Sequence, residues 1–158
     1  MENVEVRDTN KKGKGIFAIR NLKKGEKILY FSGKVVEVEN PEEYSEEVRE
    51  HWHPIDFKEN KTVYILPEEP WKYLNHSCEP NAGVKNDRDL VAIKDIKKGD
   101  EICIDYSTLF LEGWEMKCEC GSKNCRKMIS SFDKLDPKDQ ERLKDYISSY
   151  VKKKYKKN

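Results

Sequence analysis

The sequence predicts a β-rich α+β domain, and three observations carry that expectation. Apolar segments are short, and several alternate with polar residues, as in Val4-Glu5-Val6 and Lys34 to Val38. Turns rich in glycine, asparagine and lysine separate them at close intervals. Only two stretches, beginning at Asn40 and at Asp136, carry helix-start signals.

Val4 to Asp8 reads as the first strand, Thr9 to Gly15 as a glycine- and lysine-rich turn, and Ile16 to Ile19 as a second apolar run. Asn21 to Glu26 turns the chain into a strand over Lys27 to Phe31; Gly33 breaks that run and Lys34 to Val38 resumes it. Asn40-Pro41-Glu42-Glu43 combines a capping side chain, proline at the first helical position and acids in the first turn, which predicts a helix to about Glu50. His51 to Pro54 ends it. Lys61 to Leu66, β-branched and aromatic, is a strand; Pro67 to Pro70 is a loop; Trp71 to Leu74 is a short helical turn. Asn81 to Lys85 and Leu90 to Ile93 are strands around the turn Asn86 to Asp89. Ile96-Lys97-Lys98-Gly99-Asp100 repeats Leu22-Lys23-Lys24-Gly25-Glu26, and each introduces an apolar strand. Asp136-Pro137 starts a C-terminal helix whose Leu143, Tyr146, Ile147 and Tyr150 share one face. Lys152 to Asn158 then frays as a basic tail.

A chain of 158 residues is one domain, large enough to bury a core. Charged residues make up 39%, yet the net charge is +1, so bulk charge does not announce a nucleic-acid binder. The distribution is uneven: seven glutamates and one arginine lie between Glu37 and Glu50, and five lysines and no acid between Val151 and Asn158. An acidic block beside a groove steers basic partners towards it. No apolar run is long enough for a membrane span, and the N-terminus lacks the pattern of a secretory signal. Five cysteines without an export signal point to a reducing, cytoplasmic compartment and to metal rather than disulfides.

Cys118-x-Cys120-x₄-Cys125 sits in a stretch with Gly121 and Asn124, which supply the tight loop that brings such thiols together. Three thiolates leave a tetrahedral zinc ion one ligand short, and Cys78 is the natural fourth. Cys103, between Ile102 and Ile104, reads as a small buried thiol in a core strand. His51 and His53 read as surface or cleft residues near a helix end. The polar run Asn75-His76-Ser77-Cys78 and the strand end Asp105-Tyr106 are each unremarkable alone.

Taken together these pieces resemble the SET-domain protein lysine methyltransferases. The matching residues are Gly13-Lys14-Gly15-Ile16-Phe17, Asn75-His76-Ser77-Cys78-Glu79-Pro80-Asn81, Glu101-Ile102-x-x-Asp105-Tyr106, and the post-SET zinc motif from Cys118 to Cys125-Arg126. The resemblance covers residues 3 to 127. It implies small curved sheets around a pseudoknot in which the segment ending at Tyr106 lies against Asn75 to Cys78. It implies S-adenosylmethionine as cofactor, held by the backbone of Lys14, Gly15 and Ile16 and by Asn75 and His76. Tyr106 would be the catalytic residue at the bottom of a lysine channel, and Cys78, Cys118, Cys120 and Cys125 would hold one structural zinc ion. Residues 1–113 would form the SET domain with an insert over about 39–70, residues 114–128 the post-SET segment, and 129–158 a C-terminal helix and tail.

Methyl transfer to a lysine is an in-line displacement that needs a neutral amine and near-attack alignment. A dry aromatic channel lowers the amine pKa by desolvation, and a tyrosine hydroxyl orients the amine and the methyl group. Three positions depart from the family's usual pattern. Lys72 stands where the family often has arginine, so it would meet a cofactor carboxylate as a point charge. Phe31 stands where tyrosine is common, and Ile104 where an aromatic residue often limits the number of methyls. The expected partner is a basic protein or lysine-containing peptide, including the chain's own tail; the setting is cytoplasmic, or nuclear and chromatin-associated in a eukaryote. Two other readings compete: an inert SET-like binding module, and a zinc-containing nucleic-acid binder using Lys117, Lys123, Arg126, Lys127 and the tail.

Overall fold

A computed structural model describes residues 3–10, 13–49, 51–111 and 114–155. Strands β1 (Val4–Thr9) and β2 (Gly13–Ala18) form an antiparallel pair, with Val6 opposite Ile16 and Arg7 opposite Gly15. Gly13 and Gly15 therefore lie in a strand, not in the expected turn. Strands β3 (Lys27–Tyr30) and β4 (Gly33–Val38) follow as predicted.

The predicted helix from Asn40 to Glu50 is not continuous. A 3-10 turn over Pro41–Glu43 ends at Tyr44, whose backbone is extended, and a single helical turn, α1 (Glu46–Arg49), restarts beyond it. Two contacts favour the break: Ser45 Oγ accepts the N–H of Val48 at 3.4 Å, and the Tyr44 ring packs 4.9 Å from that of Trp52. Glu50 lies outside the described residues. Next comes β5 (His53–Lys58), which sequence reasoning missed, and then β6 (Lys61–Pro67). Pro54 hides β5 from pattern reading. Proline is tolerated there because β5 is an edge strand in a sheet ordered β4-β6-β5, with a register shift between Pro54 and Asp56.

Trp71–Tyr73 forms a 3-10 turn into the two-residue strand β7 (Asn75–His76). Strands β8 (Ala82–Lys85) and β9 (Asp89–Ala92) form a hairpin whose turn residues Asn86 and Asp87 have φ of 50° and 62°. Such left-handed conformations suit asparagine and aspartate. Strand β10 (Glu101–Ile104) runs antiparallel to β2 and parallel to β7, completing a sheet ordered β1-β2-β10-β7. After β8 and β9 the chain has thus returned to lie beside the Asn75 motif. A third sheet is ordered β3-β9-β8.

The two repeated turns occupy equivalent conformations and bond to each other. Leu22 and Ile96 exchange backbone hydrogen bonds of 2.8 and 2.9 Å. Glu26 and Asp100 each accept the N–H three residues back, from Lys23 and Lys97, and Gly25 and Gly99 have φ of 88° and 91°. Leu22 and Ile96 are fully buried in the main core, with Ile16, Leu90, Ile102 and Ile104.

Past Tyr106 the chain forms a short hairpin, β11 (Glu115–Lys117) with β12 (Met128–Ser130), around the thiol loop. The single C-terminal helix expected from Asp136 is instead two: α2 (Pro137–Leu143), then a 3-10 turn over Lys144–Tyr146, then α3 (Ser149–Tyr155). The break has a cause in off-helix partners. Ile147 is extended, Ser148 N–H donates to the Thr108 carbonyl at 3.1 Å, and Asp87 accepts both the Ser149 N–H and hydroxyl at 2.6 Å. Leu143 and Val151 still meet in one cluster, with Ile147 and Tyr150 against it, whereas Tyr146 turns onto Gly83. Of the tail expected to fray from Lys152 to Asn158, Lys152 to Tyr155 are helical and dock on β5 through the ion pair Lys153–Asp56 at 2.6 Å, and Lys156 to Asn158 lie outside the described residues. Among the described residues no helix is long and apolar enough to cross a membrane.

Candidate active site and metal centre

The expected site residues gather where β2, β7 and β10 meet. Cys103 lies opposite Asn75 and Ile104 opposite His76. The Asn75 amide donates to the Lys14 carbonyl at 3.1 Å and to Glu101 Oε1 at 2.7 Å. Gly15 lets these side chains close in: a Cβ would sit 2.6 Å from Glu101 Oε1, 2.9 Å from Thr9 Cγ2 and 3.1 Å from Asn75 Nδ2, so all three would have to shift. Ile16 points into the core. Lys72 does not join the group. Its ammonium pairs with Glu69 at 2.7 Å and lies 5.0 Å from the centre of the Tyr73 ring, which Lys14 also approaches at 5.4 Å.

Tyr106 begins a 3-10 turn, Tyr106–Thr108, capped by Asp105, which accepts the Ser107 N–H. Its hydroxyl donates to the Leu74 carbonyl at 2.6 Å, and its own N–H donates to His76 Nδ1 at 3.1 Å. Burial pushes the phenol well above its ordinary pKa, and the nearby Cys103 and Glu101 add to the effect. The hydroxyl is therefore neutral at physiological pH, with oxygen lone pairs still available to accept. Sequence reasoning assigned no role to Asn81. Its side chain donates to the Glu101 carbonyl at 2.8 Å and accepts the Cys103 N–H at 2.9 Å, so it stands in for a neighbouring strand along β10. Its place at the end of the Asn75 to Asn81 motif, directly after Pro80, was the signal that could have found it.

The thiols also converge. Cys78 Sγ lies 3.6 Å from Cys118 Sγ, and Cys125 Sγ 3.7 Å from Cys118 Sγ. His76, Cys78, Cys118 and Cys120 offer ligand atoms within 4.8 Å of one another. A tetrahedral zinc ion with Zn–S bonds of ~2.3 Å sets neighbouring sulfurs about 3.8 Å apart, so the sulfur spacings fit one. His76 is placed differently from the thiols. Since Nδ1 accepts the Tyr106 N–H, the proton of the neutral ring sits on Nε2, which faces Cys78 Sγ at 3.3 Å. An N–H donor of that kind supports a thiolate and does not itself ligate a metal. Burial disfavours the Cys120 thiolate, yet the Cys78 backbone N–H and the hydroxyl and N–H of Ser122 outweigh it, and the thiol falls to about 6. Burial raises Cys78, against the N–H and charge of Arg126. Cys103 is buried in β10, and His53 stacks 5.8 Å from Trp71, away from the thiols.

A cavity of about 350 Å³ lies between Tyr106 and the thiol loop, lined by Asn75, His76, Met116, Glu119 and Ile129 among others. That volume is in the range of cofactor pockets, roughly 300–1,000 Å³, and the lining mixes apolar Met116 and Ile129 with polar Asn75, His76, Lys117 and Glu119. Of the four basic groups expected in a nucleic-acid face, Lys117, Lys123 and Lys127 are exposed, but Arg126 is turned inward against Asp105.

The arrangement defines a class. The sequence profile of the SET domain family matches residues 13–107, and this chain belongs to that family. It is 33% identical over 143 residues to the variant-silencing SET domain-containing protein of Plasmodium falciparum, a match covering 79% of this chain and 6% of that protein. It is 28% identical over 134 residues to histone-lysine N-methyltransferase ASHH2 of Arabidopsis thaliana, covering 77% of this chain and 8% of that one. It is 27% identical over 163 residues to the human histone-lysine N-methyltransferase specific for H3 lysine-36, covering 96% of this chain and 6% of that one. The chain thus spans less than a tenth of these relatives' lengths. The methyltransferase domain of the human histone-lysine N-methyltransferase SETMAR superposes with a TM-score of 0.59 at 25% identity, covering 81% of this chain and 58% of that one. The β-rich architecture of small sheets is accordingly a SET-type fold.

Proposed function

We propose that this chain is an S-adenosylmethionine-dependent protein-lysine N-methyltransferase acting on a basic protein of histone type. The observation that carries the reading is the Tyr106 hydroxyl, half-buried, neutral and tied to the Leu74 carbonyl at the edge of the cavity. S-adenosylmethionine supplies the electrophilic methyl group when bound. The backbone of Lys14, Gly15 and Ile16, with Asn75 and His76, would hold it, and the Lys14 ammonium over Tyr73 would meet its carboxylate, joined by Lys72 only when that ammonium leaves Glu69. With its hydrogen bond donated to the Leu74 carbonyl, the Tyr106 oxygen keeps lone pairs that would accept weak C–H contacts and orient the incoming amine. The desolvated surroundings favour the neutral amine, whose lone pair is the nucleophile. Cys78, Cys118, Cys120 and Cys125 would hold one zinc ion, which cross-links the thiol loop to the Asn75 motif.

On this reading residues 1–113 form the catalytic domain with an insert over about 39–70, 114–128 the zinc-binding segment, and 129–158 the C-terminal support. The six described glutamates between Glu37 and Glu47 are all exposed and would steer lysine-rich substrates inward, the chain's own tail included. A histone-type substrate sets the activity at chromatin. The inert binding module is disfavoured, because such a module has no use for a half-buried tyrosine lining a cofactor-sized cavity beside Asn75 and His76. The test is mass spectrometry of histones and other basic proteins incubated with the protein and S-adenosylmethionine. Methyl gains on lysine, lost in Tyr106→Phe, are expected; transfer that persists unchanged in that variant would refute the assignment.

A further inference from the structure

Arg126 directly follows the last thiol of the loop, and its guanidinium reaches the residue before Tyr106. Nη1 and Nη2 donate to the two oxygens of Asp105, each at 2.8 Å, and Nη2 also donates to Ser107 Oγ at 3.1 Å. The Asp105 side chain is fully buried, 0% exposed. His76 Nδ1 lies 3.7 Å from it but accepts the Tyr106 N–H, so the guanidinium is the counter-charge of this carboxylate. The other end of the same residue faces the metal centre: the Arg126 N–H points at Cys78 Sγ at 3.4 Å. Lys127 follows with φ of 65°, a conformation rare for lysine, and its carbonyl accepts the Cys118 N–H at 2.9 Å. The thiol loop therefore sets where Arg126 leaves the backbone, and the guanidinium is held at its far end by Asp105, with Asp139 of α2 at 3.6 Å from Nη1 as a second, longer ion pair.

We propose that Arg126 is a positioning residue through which metal binding sets the geometry of Tyr106. Gathering Cys118, Cys120 and Cys125 on Cys78 delivers the guanidinium to Asp105. The bidentate pair then holds Asp105 as the cap of the turn whose first residue is Tyr106. Without the metal the loop releases Arg126, the buried carboxylate loses its partner, and the turn carrying Tyr106 loosens. A planar fork is needed, because lysine offers one point charge to two oxygens. This deepens the proposed function and rests on it.

The test compares the zinc-loaded protein with Arg126→Lys, Arg126→Gln and the neutral pair Asp105→Asn/Arg126→Gln, which leaves no buried charge unpaired. Zinc per chain is measured first. Steady-state methyl transfer follows, and then the ¹⁹F signal of a fluorotyrosine placed at position 106, with and without chelator. The neutral pair is expected to retain zinc and to lose kcat by about tenfold or more while peptide KM stays within about twofold; among the single variants, Arg126→Lys is expected to keep more kcat than Arg126→Gln. Its ¹⁹F signal is expected to resemble that of the stripped wild type. A zinc-loaded neutral pair with wild-type kcat and ¹⁹F signal overturns the proposal, as does a wild-type signal at 106 that ignores zinc removal. Failure of the wild type to take up zinc overturns the metal reading and this coupling together. Zinc uptake without methyl transfer leaves the ¹⁹F response to decide the coupling alone.

Discussion

The backbone N–H of Tyr106 donates to Nδ1 of His76 at 3.1 Å, which leaves the other ring nitrogen protonated and facing Cys78 at 3.3 Å. One imidazole thus separates the tyrosine turn from the thiol cluster and supports both. His76→Ala is expected to keep one zinc per chain while weakening methyl-donor binding, whereas Cys78→Ser loses the metal. Zinc content of the purified variants, with donor titration, checks this. Loss of zinc from His76→Ala would make the imidazole a ligand.

Tyr106→Phe removes the donor to the Leu74 carbonyl. Methyl transfer is expected to fall by about 10²–10³-fold, as for other oriented polar groups at a reacting centre. The exposed cost to the fold is an unsatisfied carbonyl, about 1–3 kcal/mol. Steady-state kinetics and thermal melts separate the two effects, since the activity loss greatly exceeds what a small stability change produces in a folded protein.

Gly15→Ala sets a methyl 2.6 Å from Glu101 Oε1 and 3.1 Å from Asn75 Nδ2. Both side chains must move, and the Asn75–Lys14 bond moves with them. Donor affinity is expected to drop by roughly tenfold or more, in line with overpacking costs of about 1–3 kcal/mol. Titration calorimetry of donor binding reads it directly, and unchanged affinity would remove Gly15 from the site.

His53 titrates far from its ordinary range. Desolvation, with a smaller contribution from His51, lowers it to about 4, and its Nδ1 is buried without a hydrogen-bond partner among the described residues. The unfolded chain therefore binds this proton more tightly than the native state. Stability is expected to rise as pH climbs from about 4 to 6.5 and to level off above, by at most about 3 kcal/mol. Urea unfolding across that window measures the slope, and His53→Phe should flatten it.

Gly83→Ala tests the packing of the C-terminal segment. A Cβ at Gly83 meets the Tyr146 ring at 2.6 Å, so the 3-10 turn between α2 and α3 must shift. A loss of about 1–3 kcal/mol is expected in chemical denaturation, with the ion pair Lys153–Asp56 weakened as α3 is displaced.

Local chemistry made much of this protein legible before any coordinates. The two Lys-Lys-Gly turns announce themselves because a left-handed glycine followed by an acid that caps the turn is a short-range device. The thiol loop and the Asn75 motif are each local, a few residues of fixed type, although Cys78 lies 40 residues before Cys118 and only the fold brings the two together. Lys14, Gly15, Asn75, His76 and Tyr106 could be named together from their motifs, although their contacts run between distant strands.

Tertiary structure decided the remainder, because it turned on which partner each polar group finds. Pro54 conceals β5 until the edge position is known. A periodic apolar face predicts one C-terminal helix, but Asp87 and the Thr108 carbonyl compete for the backbone at Ser148 and Ser149 and divide it in two. Lys72 has the right place in the motif, yet its ammonium turns to Glu69. Arg126 looks like one more surface base in a lysine-rich stretch until its guanidinium meets Asp105, 21 residues away in sequence. Sequence by itself determined the elements and the chemistry they carry, since propensity and motif act over a few residues. Only the fold decided which charges are buried together, since that depends on segments the chain brings back from far away.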